Sequence, residues 1–164
     1  MNADPTARVR LGQTAIEVTR LGLGTAPVGG LYEAVSDAVA EATVGAALDL
    51  GLGLVDTAPL YGHGLAEQRI GRAIDGRERD SFALATKVGR LLRDVAFAEP
   101  VRSYVGTPDV NPVFDFSYDG VMRSLDQSYL RLGIARIGVA LVHDVDFWTT
   151  RDRALLDQRF RVDM

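Results

Sequence analysis

The chain of 164 residues has room for one domain and little more. With 18 Lys+Arg against 22 Asp+Glu, its net charge of −4 excludes a strongly basic nucleic-acid binder and a strongly acidic disordered tail. It has no cysteine, which removes disulfides, thiolate catalysis and Cys-ligated zinc. Only His63 and His143 remain as imidazole ligands, so no metal site is expected. A hydrophobic fraction of 47% suits a globular chain with a core. No apolar run approaches the roughly 20 residues that span a bilayer, and "MNADPTARVRLGQT" lacks the apolar core of a secretory signal. The expectation is a cytoplasmic protein with neither nucleic acid nor membrane as partner.

In chain order, "RVRL" and "AIEV" around Gly12–Gln13 predict a short hairpin, followed by a first core strand in "RLGLGTA". A helix is predicted from Val35 to Leu50, with Ser36 as N-cap, one face at Val39, Thr43, Ala46, Ala47 and Leu50, and Gly51 as stop. "LGLVDTA" reads as the second strand, "GLAEQRIGRAID" as the second helix and "SFALATKV" as the third strand. Gly89 to Phe116, with Pro100, Pro108 and Pro112, reads as a long irregular stretch. Ser117 then caps a third helix with a face at Val121, Leu125, Tyr129 and Leu132 and a stop at Gly133. "RIGVALVH" is the fourth strand, and "TTRDRALLDQRF" begins another helix. Alternating strands and helices imply right-handed crossovers and a parallel sheet, an α/β fold. Neither nucleotide fingerprint fits: Gly22, Gly24, Gly29 and Gly30 break the G-x-G-x-x-G spacing, and the only lysine sits in "ATKVG" rather than in a phosphate loop.

Arginine outnumbers lysine 17 to 1, and the single lysine is Lys87. Biased codon usage explains such a count as readily as function does. An ammonium nevertheless does what a guanidinium cannot, because it is compact and shifts its pKa when buried. The strands close on Asp56, Lys87 and His143, with Tyr61 five residues after Asp56. Parallel strands present such groups together at their C-terminal ends. One at a time, a strand-end aspartate is more often a capping residue and a strand-end histidine a satisfied core group; arrival on successive strands favours a site. Ala83, Ala85 and Lys87 share one strand face, and a buried ammonium needs a counter-charge, for which Asp56 is the neighbour. A nearby ammonium is expected to lower the Tyr61 pKa from about 10 toward the range of general acid–base catalysis.

"GLGTA", "VDTAPLYGHG", "ATKVG" and "LVHD" together resemble the aldo-keto reductase family, and "RSLDQSYLRLG" with the opening "LGLGTAPVGGLY" resembles its D-threo-aldose 1-dehydrogenase (L-fucose dehydrogenase) subgroup. The resemblance implies a (β/α)8 barrel using NAD or NADP, with hydride transfer between the nicotinamide and an aldose or related carbonyl substrate. It implies Tyr61 as general acid/base, Lys87 and Asp56 as its modulating pair, His143 as substrate orienter, and Gly24, Thr25 and Ala26 beneath the nicotinamide with Asp56 near its ribose. A complete barrel takes eight strands and about 250 residues. Residues 1–164 therefore read as a single, truncated domain: the N-terminal half-barrel, with about four parallel core strands behind a hairpin. Open sheet edges predict self-association. An inactive fragment, or a half-barrel interaction or redox-sensing module, is the alternative function.

Overall fold

The computed structural model of the chain describes residues 4–95 and 103–162. The N-terminal hairpin pairs Arg8–Arg10 (β1) antiparallel with Glu17–Thr19 (β2), Arg10 opposite Glu17. It sits at the N-terminal end of the main sheet. Gly53 N–H donates to Thr19 Oγ1 at 2.7 Å, and Arg8 donates to the Ser81 carbonyl at 2.6 Å.

The main sheet is parallel, in the order Leu23–Gly24 (β3), Leu54–Asp56 (β4), Ala83–Val88 (β5) and Val139–Val142 (β8). Asp37–Asp49 (α1) and Leu65–Ile74 (α2) supply the crossovers between these strands, and Tyr118–Leu132 (α3) precedes the last. Val44, Val55, Ala66, Ile70, Leu84 and Leu132 meet in one core between helices and sheet. Each fully buried Ile or Leu there contributes about 1.5–3 kcal/mol. Ser36 and Ser117 cap as expected, accepting from the N–H groups of Val39 and Gly120, and Gly133 ends α3 in the left-handed conformation. The chain closes with Phe147–Thr150 (α4) and Arg153–Val162 (α5).

Three expectations are corrected. The buried stripe of α1 is Ala40, Val44 and Ala47; of the expected face Val39, Thr43, Ala46, Ala47 and Leu50 only Ala47 belongs to it, and Val39 and Leu50 are exposed. The helix is alanine- and valine-rich all round, so its periodicity does not mark the inward side. In α3 the buried stripe is Gly120, Ser124, Ser128 and Leu132, and only Leu132 belongs to the expected face. Small residues let α3 approach closely: a Cβ on Gly120 would lie 2.2 Å from Asp115.

The stretch expected to be irregular contains an antiparallel ribbon, Arg90–Arg93 (β6) with Asn111–Phe114 (β7). Pro112 lies opposite Leu92, where it has no N–H to give. Leu92 instead bonds outward through both backbone groups to the Gln127 side-chain amide on α3, at 3.1 and 3.2 Å. Pro100 lies outside the described residues.

β8 is one of the two outer strands, and its Ala140, Leu141 and Val142 are exposed, whereas most of β5 is buried. Among the described residues no helix is long and apolar enough to cross a membrane.

Candidate active site

The register brings the strand ends together. Gly24 lies opposite Asp56, Asp56 opposite Ala85, and Lys87 opposite Leu141. Side chains at alternate positions of parallel neighbours share a face. Asp56 and Lys87 thus emerge on the same side of the sheet, opposite Val55, Leu84 and Thr86. Lys87 Nζ donates to Asp56 Oδ1 at 2.6 Å and to the Thr57 carbonyl at 3.0 Å. The Lys87 side chain is only 12% exposed, so the paired carboxylate offsets the desolvation of its ammonium. The Tyr61 ring centroid lies 5.7 Å from Nζ. His143 follows β8 and meets the Tyr61 ring edge-on, with centroids 5.9 Å apart. All four residues singled out in the sequence therefore gather at the C-terminal rim.

Tyr61 is held by backbone packing. A Cβ on Gly62 (φ +62°) would lie 2.2 Å from the Gly29 carbonyl oxygen, and one on Gly29 2.6 Å from the Tyr61 carbonyl carbon. Only glycines allow the turn after β4 to press against the 3-10 turn Pro27–Gly29. "PVGG" and "LYGHG", which fit no nucleotide fingerprint, are a mutual docking surface that fixes the phenol.

The electrostatics revise one expectation. The Tyr61 phenol stands above its ordinary 10, first because it is partly buried and then because Asp56 and Asp144 are near; Arg90 opposes them. Lys87 is committed to Asp56 and Thr57 and does not produce the expected lowering. At neutral pH Tyr61 is thus a loaded proton donor.

His143 is pushed down to about 4, by burial first, then by the Arg90 charge, with Lys87 adding and Asp144 and Asp56 opposing. It is a neutral imidazole at pH 7. Between its ordinary 6.5 and about 4, the unfolded chain takes up a proton that the folded chain refuses. The stability held above pH 6.5 is therefore expected to fall as the pH is lowered through that window. His63, lowered by burial against its bond to the Val110 carbonyl, acts in the same direction. The urea midpoint should drop across the window, and an imidazole of His143 titrating near 6.5 by NMR would contradict the assignment.

Of the three residues expected beneath a nicotinamide, Gly24 is exposed, with open space where its Cβ would point, and Ala26 is partly exposed. Thr25 is fully buried, and its hydroxyl donates to the Asp56 carbonyl at 2.8 Å. Its side chain ties the end of β3 to β4.

Sequence reasoning missed Arg90, Asp144 and Tyr104. Arg90 donates to Asp144 at 2.5 Å, and Asp144 Oδ2 lies 3.5 Å from His143 Nε2. The Tyr104 ring lies 6.4 Å from that of Tyr61; burial, then the neighbouring Tyr61, raise its phenol to about 12. Asp144 stood in the quoted "LVHD", so its adjacency to His143 was the available signal. Tyr104 reaches the rim through backbone bonds between segments 30–32 and 103–105, which nothing local announces.

A sequence profile of the Aldo/keto reductase family matches residues 20–159. The chain belongs to the aldo/keto reductase family. This aldo/keto reductase is 41% identical over 167 residues to a pyridoxal 4-dehydrogenase of Microbacterium luteolum, covering 93% of this chain and 47% of that one. It is 38% identical over 134 residues to a D-threo-aldose 1-dehydrogenase of a Pseudomonas species, covering 79% and 41%. Among solved structures it resembles an aldo/keto reductase of Klebsiella pneumoniae in complex with NADP and acetate, with a TM-score of 0.59 and 27% identity, covering 82% of this chain and 38% of that one. The chain spans less than half the length of these relatives. Its sheet and helices correspond to part of the (β/α)8 barrel.

Proposed function

We propose that this site carries out NAD(P)-dependent hydride transfer to or from an aldose or a related aldehyde or alcohol, with oxidation at a sugar C1 favoured. The supporting observation is the Lys87–Asp56 pair at 2.6 Å beside the Tyr61 ring, with neutral His143 edge-on to it. That set moves a proton but has no group that takes up a hydride. A bound nicotinamide dinucleotide supplies that capacity. The exposed Gly24, Ala26 and the Asp56 carboxylate, 34% exposed, fit its nicotinamide end.

Tyr61, protonated at neutral pH, gives its proton to a carbonyl oxygen in reduction and takes one from a carbinol in oxidation. Asp56 and Lys87 hold each other in place beneath it. His143 is uncharged and orients the substrate oxygen without competing for the proton. A cytoplasmic location goes with this reading. Steady-state assays with L-fucose and pyridoxal, each with NAD and NADP, test it. Turnover of either is the expected result, and no change in nicotinamide absorbance with any pairing would refute it.

The exposure of β8 favours a second property. Leu141 and Val142 are 44% and 48% exposed on an outer strand, which leaves an open row of backbone donors and acceptors. Self-association through that edge is expected. Light scattering should give species heavier than the 17.7 kDa chain, and a monodisperse monomer would contradict it.

A further inference from the structure

We propose that Asp144 is a specificity-determining residue: its carboxylate accepts a hydrogen bond from a substrate hydroxyl beside the reacting carbon, so that the site selects polyhydroxylated substrates over simple aldehydes. This rests on the oxidoreductase reading of the same site. Arg90 and Asp144 neither give nor take the proton in the transfer described above, although their charges act on Tyr61 and His143, and both stand at its rim.

The Arg90 side chain is only 8% exposed and lies over the Phe114 ring at 4.3 Å, which fixes the guanidinium plane. From there it donates to Asp144 Oδ2 at 2.5 Å. Asp144 itself adopts a left-handed backbone conformation (φ +53°), which turns it back toward the sheet directly after His143. The outcome is a carboxylate clamped by a buried cation, with its oxygen 3.5 Å from His143 Nε2 and its side chain still 40% exposed. Tyr61 and Tyr104 also feel its charge, and Lys87 and Asp56 act on the adjoining His143.

An ionised carboxylate has about four lone-pair directions, and one bond from Arg90 does not use them up. Asp144 Oδ2 lies 3.5 Å from His143 Nε2 and its side chain is 40% exposed, so a substrate seated on His143 stands beside this carboxylate. Apolar substrate surface would leave the charge without its hydration, an uncompensated loss. A hydroxyl vicinal to the reacting carbon replaces the water with a charge-assisted hydrogen bond. A site built for a hydroxyl rejects an analogue lacking it far more strongly than a hydrophobic pocket rejects a missing methylene.

The test is calorimetric or NMR titration of the chain with L-fucose and with 2-deoxy-L-fucose. The wild-type chain is expected to bind L-fucose roughly tenfold to hundredfold more tightly, the span of a hydrogen bond to a charged group. In Asp144→Asn, which keeps the shape and removes the charge, the ratio should fall toward one. A merely structural role would weaken both sugars equally and leave the ratio unchanged, which would overturn the proposal. Failure of the wild-type chain to prefer L-fucose, or to bind either sugar, would overturn it too. Tyr61→Phe keeps Asp144 and should preserve the ratio. A preserved ratio without turnover in the wild-type chain rejects the redox reading and leaves the contact standing. Turnover with a ratio of one rejects the contact alone.

Discussion

Tyr61→Phe is expected to lower turnover by about 10²–10⁴-fold, the usual contribution of one positioned acid or base, while leaving the fold intact. The phenol packs against Tyr104 and His143 through its ring, which phenylalanine reproduces. The backbone around it is held by the Gly29–Gly62 approach, independently of the hydroxyl. The substitution therefore removes a proton donor from an otherwise unchanged surface. Parallel urea melts of the two chains should superimpose, and retained turnover in the variant would exclude Tyr61 as the acid/base. Because burial and two carboxylates hold the phenol above its ordinary value, the oxidation rate of the unaltered chain should rise with pH through the alkaline range. A flat profile would point to another base.

How far the sequence could be read depended on which physical signal each part carried. The rim was legible because parallel strands alternate with helices and each strand closes on a polar residue. Asp56, Lys87 and His143 needed only that rule, and the strand register delivers it. Tyr61 came from spacing and resemblance, and its fixation by two glycines became visible only when the turns were seen touching.

The helix faces were less legible, for different reasons. Around α1 small apolar residues point in every direction, so periodicity had no contrast. The inward seam of α3 is made of Gly120, Ser124 and Ser128, chosen for size rather than hydrophobicity. Ser124 also accepts the Gly89 N–H at 3.2 Å where β5 passes into β6, a polar duty invisible in one dimension. The ribbon of β6 and β7 joins segments far apart in sequence, one interrupted by Pro112, and depends on Gln127 of α3 to satisfy Leu92. The rise of the Tyr61 phenol is not legible in the sequence, because burial and the second carboxylate, Asp144, act on it only in the fold.

The largest loss of stability is expected from Arg131→Met. Glu67 on α2 is 0% exposed, and its two oxygens accept from Thr86 Oγ1 on β5 and Arg131 Nε on α3, each at 2.7 Å. One carboxylate thereby joins two helices to the central strand. Removing the arginine leaves a buried charge with only a hydroxyl for company, and breaking such a pair from one side costs about 3–5 kcal/mol. Domains are held by only about 5–15 kcal/mol in total, so the variant should unfold at much lower urea. Thr86 precedes Lys87 on the same strand, so loosening of the helix side should also widen the Lys87–Asp56 contact on the other. The double variant Glu67→Gln/Arg131→Met removes both charges and should regain much of the loss, because what remains to be buried is a neutral amide still within reach of Thr86. A single variant as stable as the parent would show that the pair is not a structural tie. A double variant no better than the single would show that the loss came from packing of the arginine stem rather than from its charge.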